Sequence, residues 1–236
     1  MELCVIIPAK NEMLTLTETI DNIQKKLEGE ISYNILVIND HSDDGTLQLL
    51  ENLSRIYSHL KFVSNEWEGG VGNAIRFGLS QWQGDIVAIC MADGSDASED
   101  ILLSYKMICE DGNDCVFGSR FIKGGQVENY PFVKYFLNRI FNNWVRIKTG
   151  INYNDFTNIF KLYHRRSVEV IFPLDSTGFS IGLEMSLKAF KRGLSIAIIP
   201  ISWKQRKAGV SKLKLSENFK LYMSTLKKSI DNECDK

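Results

Sequence analysis

Two rhythms alternate along the first half of the chain. Apolar, often β-branched runs at LCVIIPA (3–9), YNILVIND (33–40), LKFVSN (60–65), DIVAICMAD (85–93) and DCVFGSR (114–120) read as buried strands. Between them, apolar residues recur every three or four positions, the spacing of a helix with one buried face. LTLTETIDNIQKKL (14–27) lines up Leu16, Ile20, Ile23 and Leu27. DDGTLQLLENLSRIY (43–57) reads as a helix whose first-turn acids, Asp43 and Asp44, suit the helix dipole without any further role. GNAIRFGLSQWQG (72–84) and SEDILLSYKMICED (98–111) follow, the second with Ser98 as its expected N-cap.

The second half is less regular. PFVKYFLNRIFNNWVRIKTG (131–150) predicts one long helix between Pro131 and Gly150. The spacing of Phe132, Tyr135, Phe136, Ile140, Phe141, Trp144 and Ile147 is mostly accounted for by packing into a core, with some surface left to meet a lipid chain. NDFTNIFKLYHR (154–165) predicts a loop and then a strand. GFSIGLEMSLKAFKRG (178–193) ends as a helix closed by Gly193, and LSIAIIPISW (194–203) predicts a last strand. A basic loop at 206–215 precedes an amphipathic tail. No repeat, low-complexity tract or linker interrupts the pattern.

Alternating strands and helices predict an α/β protein: a Rossmann-like, mostly parallel sheet flanked by helices, in a single domain over 1–215 with a C-terminal tail at 216–236. Ligands of such sheets bind beyond the carboxyl ends of the strands. Those ends carry Pro8-Ala9-Lys10-Asn11-Glu12, Asn39-Asp40-His41-Ser42-Asp43-Asp44, Asp93-Gly94-Ser95-Asp96 and Gly118-Ser119-Arg120. Three sets bring acids, and the fourth brings an arginine.

Composition narrows the partners. With a net charge of −1 over 236 residues, no global basic field points to nucleic acid, and none is expected as a partner. The five cysteines form no C-x-x-C pair, and Cys4 and Cys90 fall in apolar strands where buried thiols are expected. No secretory leader pattern opens the sequence, so the reducing cytoplasm is the expected compartment. No apolar run reaches the roughly 18–20 residues that span a bilayer. Membrane contact is therefore expected to be peripheral, on the cytoplasmic face, or supplied by a membrane subunit.

Several motifs fall away on inspection. GFSIG (178–182) matches a nucleophile elbow, but His41, His59 and His164 all precede Ser180, against the chain order of that hydrolase class. GGVGNAI lacks the third glycine of a dinucleotide fingerprint, DGSDASED lacks EF-hand spacing, and histidine and cysteine are too sparse for a zinc centre.

What survives is an ordered series: VIIPAKNE, VINDHSDDGT, MADGSD, GSRFIKGG, NDFTNIFKLYHR and PISWKQRKAGVSKL. This series, from about residue 3 to 215, resembles the family 2 glycosyltransferases, and within them the polyprenyl-phosphate sugar synthases. The resemblance implies a GT-A fold and an inverting transfer from a nucleotide-diphosphate sugar, UDP- or GDP-linked, to a polyprenyl phosphate in cell-envelope glycan synthesis. By motif position it implies that Pro8, Ala9, Asn11, Glu12, Asn39, Asp40, Gly72, Asn73 and Asp93 surround the donor, with Glu12 and Asp40 on ribose and base. Asn39 stands where the family often has Asp, and its carbonyl still accepts a hydrogen bond.

The family's Asp-x-Asp has Asp93 in its second position and Met91 in its first. A divalent metal, Mg²⁺ or Mn²⁺, is expected on Asp93 with help from Ser95, because such an ion needs only one or two protein carboxylates when phosphates and water complete its shell. The matching positions for the acceptor phosphate are Arg120, Lys134, Asn138, Arg206 and Lys212. Asp93 and Arg120 are the expected catalytic pair; Lys134 and Lys212, taken alone, read as solvated charges. A phosphate acceptor, mostly ionised near neutral pH, needs little help from a base. Transfer to a glycan hydroxyl, and a catalytically weak nucleotide-sugar-binding protein, remain the alternatives.

Overall fold

The computed structural model of the chain describes residues 1–205 and 215–231. Along it run β1 (Leu3–Ala9), α1 (Leu16–Leu27), β2 (Tyr33–Asn39), α2 (Thr46–Ile56), β3 (Leu60–Ser64), α3 (Val71–Gln81), β4 (Ile86–Ile89) and α4 (Ser98–Asp111). Then come β5 (Cys115–Ser119), β6 (Gln126–Glu128), α5 (Phe132–Thr149), β7 (Lys161–His164), α6 (Arg165–Ile171), α7 (Ile181–Lys191), β8 (Ile196–Pro200), β9 (Ser202–Lys204) and α8 (Leu215–Asp231). Among the described residues seven strands share one sheet, in the order β3-β2-β1-β4-β7-β5-β8.

Every neighbouring pair in that sheet is parallel except those made by β7, which runs antiparallel between β4 and β5. This one reversal decides the site. The chain enters β7 at the edge where β1, β2, β4 and β5 end, so the residues just before β7 join their carboxyl ends.

Strands buried on both faces explain the unbroken apolar runs. Leu3, Val5 and Ile7 of β1 pack with α1, α2 and α4 on one side. Cys4 and Ile6 face the other side, where α3, α6, α7, Val145 of α5 and Leu226 of α8 meet. α8, the expected tail, lies on α7 and is tied back by Tyr222, whose hydroxyl donates to the Phe179 carbonyl at 3.2 Å.

The structure departs from the sequence expectations at several element ends. α2 begins at Thr46, not 43, and carries no acid in its first turn. Ser98 is the first residue of α4, preceded by extended Ala97 with no side-chain cap. β4 stops at Ile89 because the Met91 N–H turns out of the ladder to the Asp96 carboxylate (3.0 Å). The last strand divides after Pro200, which has no N–H to donate, and β9 joins β6 in a separate two-stranded sheet. α6 and β6, of seven and three residues, are too short to show a period.

α5 departs most. Only Val145 among its apolar residues is fully buried, while Phe132, Val133, Phe136, Leu137, Ile140 and Ile147 are exposed. Phe141 and Trp144 pack against the core as their spacing predicts, but Phe132, Phe136, Ile140 and Ile147 do not, so core packing accounts for less of the pattern than expected.

The start of α3 is held by a clamp. The Gly72 and Asn73 N–H groups donate to the Thr177 carbonyl at 3.0 and 3.3 Å. The neighbouring Asp175 and Ser176 N–H groups donate to buried Glu184. A Cβ on Gly72 would lie 2.6 Å from the Thr177 carbonyl carbon and 2.8 Å from the Gly178 nitrogen, with the Ser176 carbonyl closer still. Gly72→Ala is therefore expected to cost about 1–3 kcal/mol through overpacking. Urea unfolding checks it: the midpoint should fall with the slope unchanged.

Candidate active site

β1 and β2 deliver the first group of side chains. Pro8 and Ala9 end β1 inside the ladder with β2. Asn11, at φ 52°, turns the chain so that its Nδ2 donates to Asp43 at 2.5 Å and its Oδ1 accepts from the Asp43 N–H at 2.8 Å. Asp44 accepts from the Met13 N–H and from both the N–H and hydroxyl of Thr46. Burial opposes its charge, but the Thr46 and Met13 donors outweigh it and lower its pKa. Both acids thus staple two loops together ahead of α2.

Glu12 is buried and accepts from the Thr15 hydroxyl at 3.0 Å. Asp40 is buried at the end of β2, where Asn65 donates to Oδ1 (2.8 Å) and the Gly70 N–H to Oδ2 (2.9 Å). Beside it, the buried Asn39 Oδ1 has no hydrogen-bond partner. An unpaired buried acceptor is costly. Gly72 and Asn73 are buried against 176–178, with their N–H groups committed to Thr177 and the Asn73 side chain accepting from Arg76.

After β4 the chain makes a tight acidic loop. The Asp93 Oδ1 accepts from the Ser95 N–H at 3.1 Å, and Ser95 is buried. Met91 packs against the apolar core on the α3 and α7 side. The side chain in the family's first acid position is therefore half-buried against the core. Among the described residues no group of three or more His, Cys, Asp and Glu side chains could hold a metal unaided. One carboxylate at the strand end still fits a hard cation whose remaining ligands are phosphate oxygens and water. Burial is the main force pushing the Asp96 carboxyl up to about 7; the Met91 N–H and Arg120 oppose it, and Asp93 adds to it.

Beyond β5 stands the cationic half. Buried Arg120 forms a two-pronged ion pair with Asp155, which is wholly buried: Nε donates to Oδ2 at 2.8 Å and Nη2 to Oδ1 at 2.6 Å. The Arg120 N–H also donates to Asp155 Oδ2, at 3.0 Å. Burial alone would lower the arginine pKa, but the Asp155 charge and hydrogen bonds raise it. The rings of Phe121, Tyr130 and Trp203 lie 5.1, 5.7 and 5.9 Å from the guanidinium carbon.

Arg139 of α5 sits 4.3 Å from the Phe121 ring and donates to the Asn154 carbonyl, so two guanidiniums share one aromatic neighbour. Asn138 donates to Thr157, two residues past Asp155, which brings it to the same loop; half-buried Lys134 lies one turn before it. Arg206 and Lys212 lie outside the described residues. Lys161, the first residue of β7, is buried with its ammonium on the Asn158 carbonyl. Burial lowers its pKa to about 7, against the pull of Asp155 and Asp96.

Asp155, Arg139 and Lys161 were not singled out from the sequence. The only signal was the NDFTNIFKLYHR motif, which carries an acid and a lysine into a strand whose direction the pattern does not reveal. Ser180, of the rejected elbow, is buried at the start of α7 with its hydroxyl unpaired.

Carboxylates at three strand ends facing cations at a fourth belong to a recognisable architecture. Glucosyl-3-phosphoglycerate synthase from Mycobacterium tuberculosis, solved with Mn²⁺, UDP and glucosyl-3-phosphoglycerate, superposes with a TM-score of 0.71. The match covers 96% of this chain and 79% of that one, at 19% identity. The fold is thus the GT-A fold of glycosyltransferases. The chain belongs to glycosyl transferase family 2, whose signature matches residues 4–172, and is a glycosyltransferase. It is 30% identical over 216 residues to the polyprenol monophosphomannose synthase of Mycolicibacterium smegmatis, covering 89% of this chain and 80% of that protein. It is also 30% identical over 216 residues to the dolichol-phosphate mannosyltransferase of Pyrococcus furiosus, covering 91% of this chain but only 60% of that longer protein.

The buried charges give stability a defined pH dependence. Asp96, raised in the folded state, is protonated there while the unfolded chain is ionised, so stability falls as pH climbs from about 4 to 7. Lys161, lowered in the folded state, is neutral there while the unfolded chain is charged, so stability rises from about pH 7 to 10. A minimum near neutrality is expected from these two groups. Urea midpoints against pH should show it, with Asp96→Asn flattening the falling limb and Lys161→Met the rising one. Asp155→Ala, which strands a buried guanidinium, is expected to cost about 3–5 kcal/mol.

Proposed function

We propose that the chain transfers a sugar from a nucleotide-diphosphate sugar to a polyprenyl phosphate, inverting the anomeric centre. The names of the two relatives support a polyprenyl-phosphate acceptor, and the UDP and Mn²⁺ of the structural neighbour support a nucleotide donor with a divalent metal. The observation that carries the reading is the pairing of Arg120 and Arg139 around Phe121, with Asn138 beside them, across from the carboxylates of β1, β2 and β4. Two guanidiniums gathered at one aromatic ring suit a phosphate, which takes several charge-assisted hydrogen bonds.

In this reading Glu12, Asn39 and Asp40, on the strand-end shelf of Pro8, Ala9 and Asn11, receive the ribose and base. Gly72 and Asn73 form a wall through their packing on 176–178. Asp93, with Ser95 nearby, would hold Mg²⁺ or Mn²⁺, whose charge would offset that growing on the leaving diphosphate. Arg120, Arg139, Lys134 and Asn138 aim one oxygen of the acceptor phosphate at the anomeric carbon. As that oxygen bonds to the carbon, the bond to the diphosphate breaks and the nucleoside diphosphate departs with the electron pair. No proton need move, because the acceptor is already an anion.

A glycan hydroxyl acceptor would instead need a base, and Asp96, in the loop after β4, would be the carboxylate to test for that task. The deciding experiment is a panel of UDP- and GDP-sugars, scored for nucleotide release with and without short-chain polyprenyl phosphate. Release that depends on the phosphate, and survives Asp96→Asn, supports the proposal. Release driven by glycans and lost in Asp96→Asn overturns it.

Asp93→Asn is expected to lower turnover by about a hundredfold or more, the scale of losing one key electrostatic group. Arg139→Ala should weaken acceptor use by roughly tenfold to a hundredfold, since a charge-assisted contact is worth about 1.5–3 kcal/mol. Calorimetry should find its donor affinity unchanged.

A further inference from the structure

Glu184 is a buried carboxylate that takes no part in the transfer chemistry above. It closes the first turn of α7 and is 3% exposed. Its two oxygens accept the Asp175 N–H at 2.9 and 3.1 Å, and Oε2 also accepts the Ser176 N–H at 2.7 Å. Lys188, one turn on, meets Oε1 at 2.8 Å and donates to the Pro173 carbonyl as well. Burial opposes the Glu184 charge, but Lys188 and the Ser176 and Asp175 donors outweigh it and lower its pKa. The carboxylate therefore grips main chain. It fixes the path of the strap at 172–180 that joins α6 to α7.

The strap in turn starts α3. The first N–H groups of a helix need acceptors from outside it, and Gly70, at the cap position, has no side chain to offer one. Gly72 and Asn73 find theirs in the Thr177 carbonyl, one residue past Ser176. Gly70 lies against the same carbonyl. Its φ is 141°, and a Cβ there would stand 2.5 Å from the Thr177 oxygen. So placed, the Gly70 carbonyl accepts the Ala74 N–H at 2.8 Å and opens the helix, while its N–H donates to Asp40 Oδ2 at 2.9 Å. Asn65 holds the other Asp40 oxygen. Any shift of the strap therefore moves the Gly70 N–H against Asp40.

We propose that Glu184 is a positioning residue for the donor: through the strap and the start of α3 it sets where the Gly70 N–H meets Asp40, and so how the Asp40 carboxylate is presented beyond β2. The relay runs from Glu184 to the Asp175 and Ser176 N–H groups, along the main chain to the Thr177 carbonyl, and through the start of α3 to Gly70. Its service to donor binding rests on the role given to Asp40 above. A carboxylate that only stabilised the fold would shift melting and leave nucleotide affinity alone.

The test is calorimetry of the full chain with UDP and with GDP, each with Mg²⁺, well below the melting temperature. Glu184→Gln sets an amide where two N–H groups converge, and is expected to weaken binding of the nucleotide that the parent takes about fivefold or more. KM for short-chain polyprenyl phosphate should stay unchanged. Without ligand, the Gly70, Gly72 and Asn73 amides should exchange hydrogen faster than in the parent. Glu184→Asp keeps the charge but falls a methylene short, and gives the same split should the Gln variant not fold. Thr225→Val is the control: it removes the α8 hydroxyl that meets Ser176 at 3.2 Å and spares the Glu184 bonds, so it should melt lower yet bind nucleotide like the parent. In an Asp40→Asn background Glu184→Gln should add little, because the two act through one contact. Unchanged nucleotide affinity in both Glu184 variants, an equal loss in Thr225→Val, or a fully additive loss on top of Asp40→Asn would each overturn the inference. Faster exchange in the variant, with neither nucleotide bound by the parent, would leave the relay standing and remove the donor reading instead.

Discussion

A guanidinium cannot shed its charge, so burying one beside an active site requires a carboxylate to meet it. Asp155 does this for Arg120 with three hydrogen bonds and no exposure of its own. Much of the acceptor half follows from that pair. It pins the loop before β7 to the end of β5. It places Asn154 and Thr157 where Arg139, Asn138 and Asn142 of α5 can bond them, and so fixes which face of α5 turns inward. It also leaves the site with a compensated cation held in one orientation by an acid behind it, with aromatic rings around it.

The antiparallel course of β7 is what makes the pair possible. In an all-parallel sheet the residues before a strand lie at the amino edge, far from any ligand. Reversing β7 brings Asn154, Asp155, Thr157 and Asn158 to the carboxyl edge between β4 and β5. It also buries Lys161 beneath the boundary of the acidic and basic halves, where its charge is disfavoured by burial and favoured by Asp155 and Asp96.

The legible and illegible parts of the sequence divide along these lines. Both-face burial leaves unbroken apolar runs, and β1 begins and ends at the expected Leu3 and Ala9. The strand-end sets were legible for the same reason, since a run of apolar residues closes on the first acid it meets. Strand direction leaves no mark on a run as short as KLYH, so Asp155 and Lys161 could not be placed. The spacing of apolar residues on α5 gave the helix but not which side faces the protein: periodicity fixes a face, and the partners of Asn138, Arg139 and Asn142, with buried Val145, show which side turns inward. Met91 was visible as a departure from the family pattern, but its half-buried place against the core needed the turn that sends the Met91 N–H to Asp96.

That turn bears on how the donor half can work. With Met91 packed half-buried against the core, the loop after β4 offers Asp93 at the strand end, while Asp96 is drawn back, accepting the Met91 N–H and holding its proton up to about pH 7. If Asp93 holds the metal as proposed, such a site would have little standing affinity for a free cation, because a hard divalent ion wants six or more oxygens and the protein supplies few. Affinity would then come with the diphosphate, whose oxygens would complete the shell. Metal and donor would bind as one unit, and the positive charge would be present only when there is a leaving group for it to stabilise. Arg120, already matched to Asp155, lies on the other side of β7. The two halves can therefore carry opposite charge within a few strands of each other without collapsing into one salt-bridged cluster.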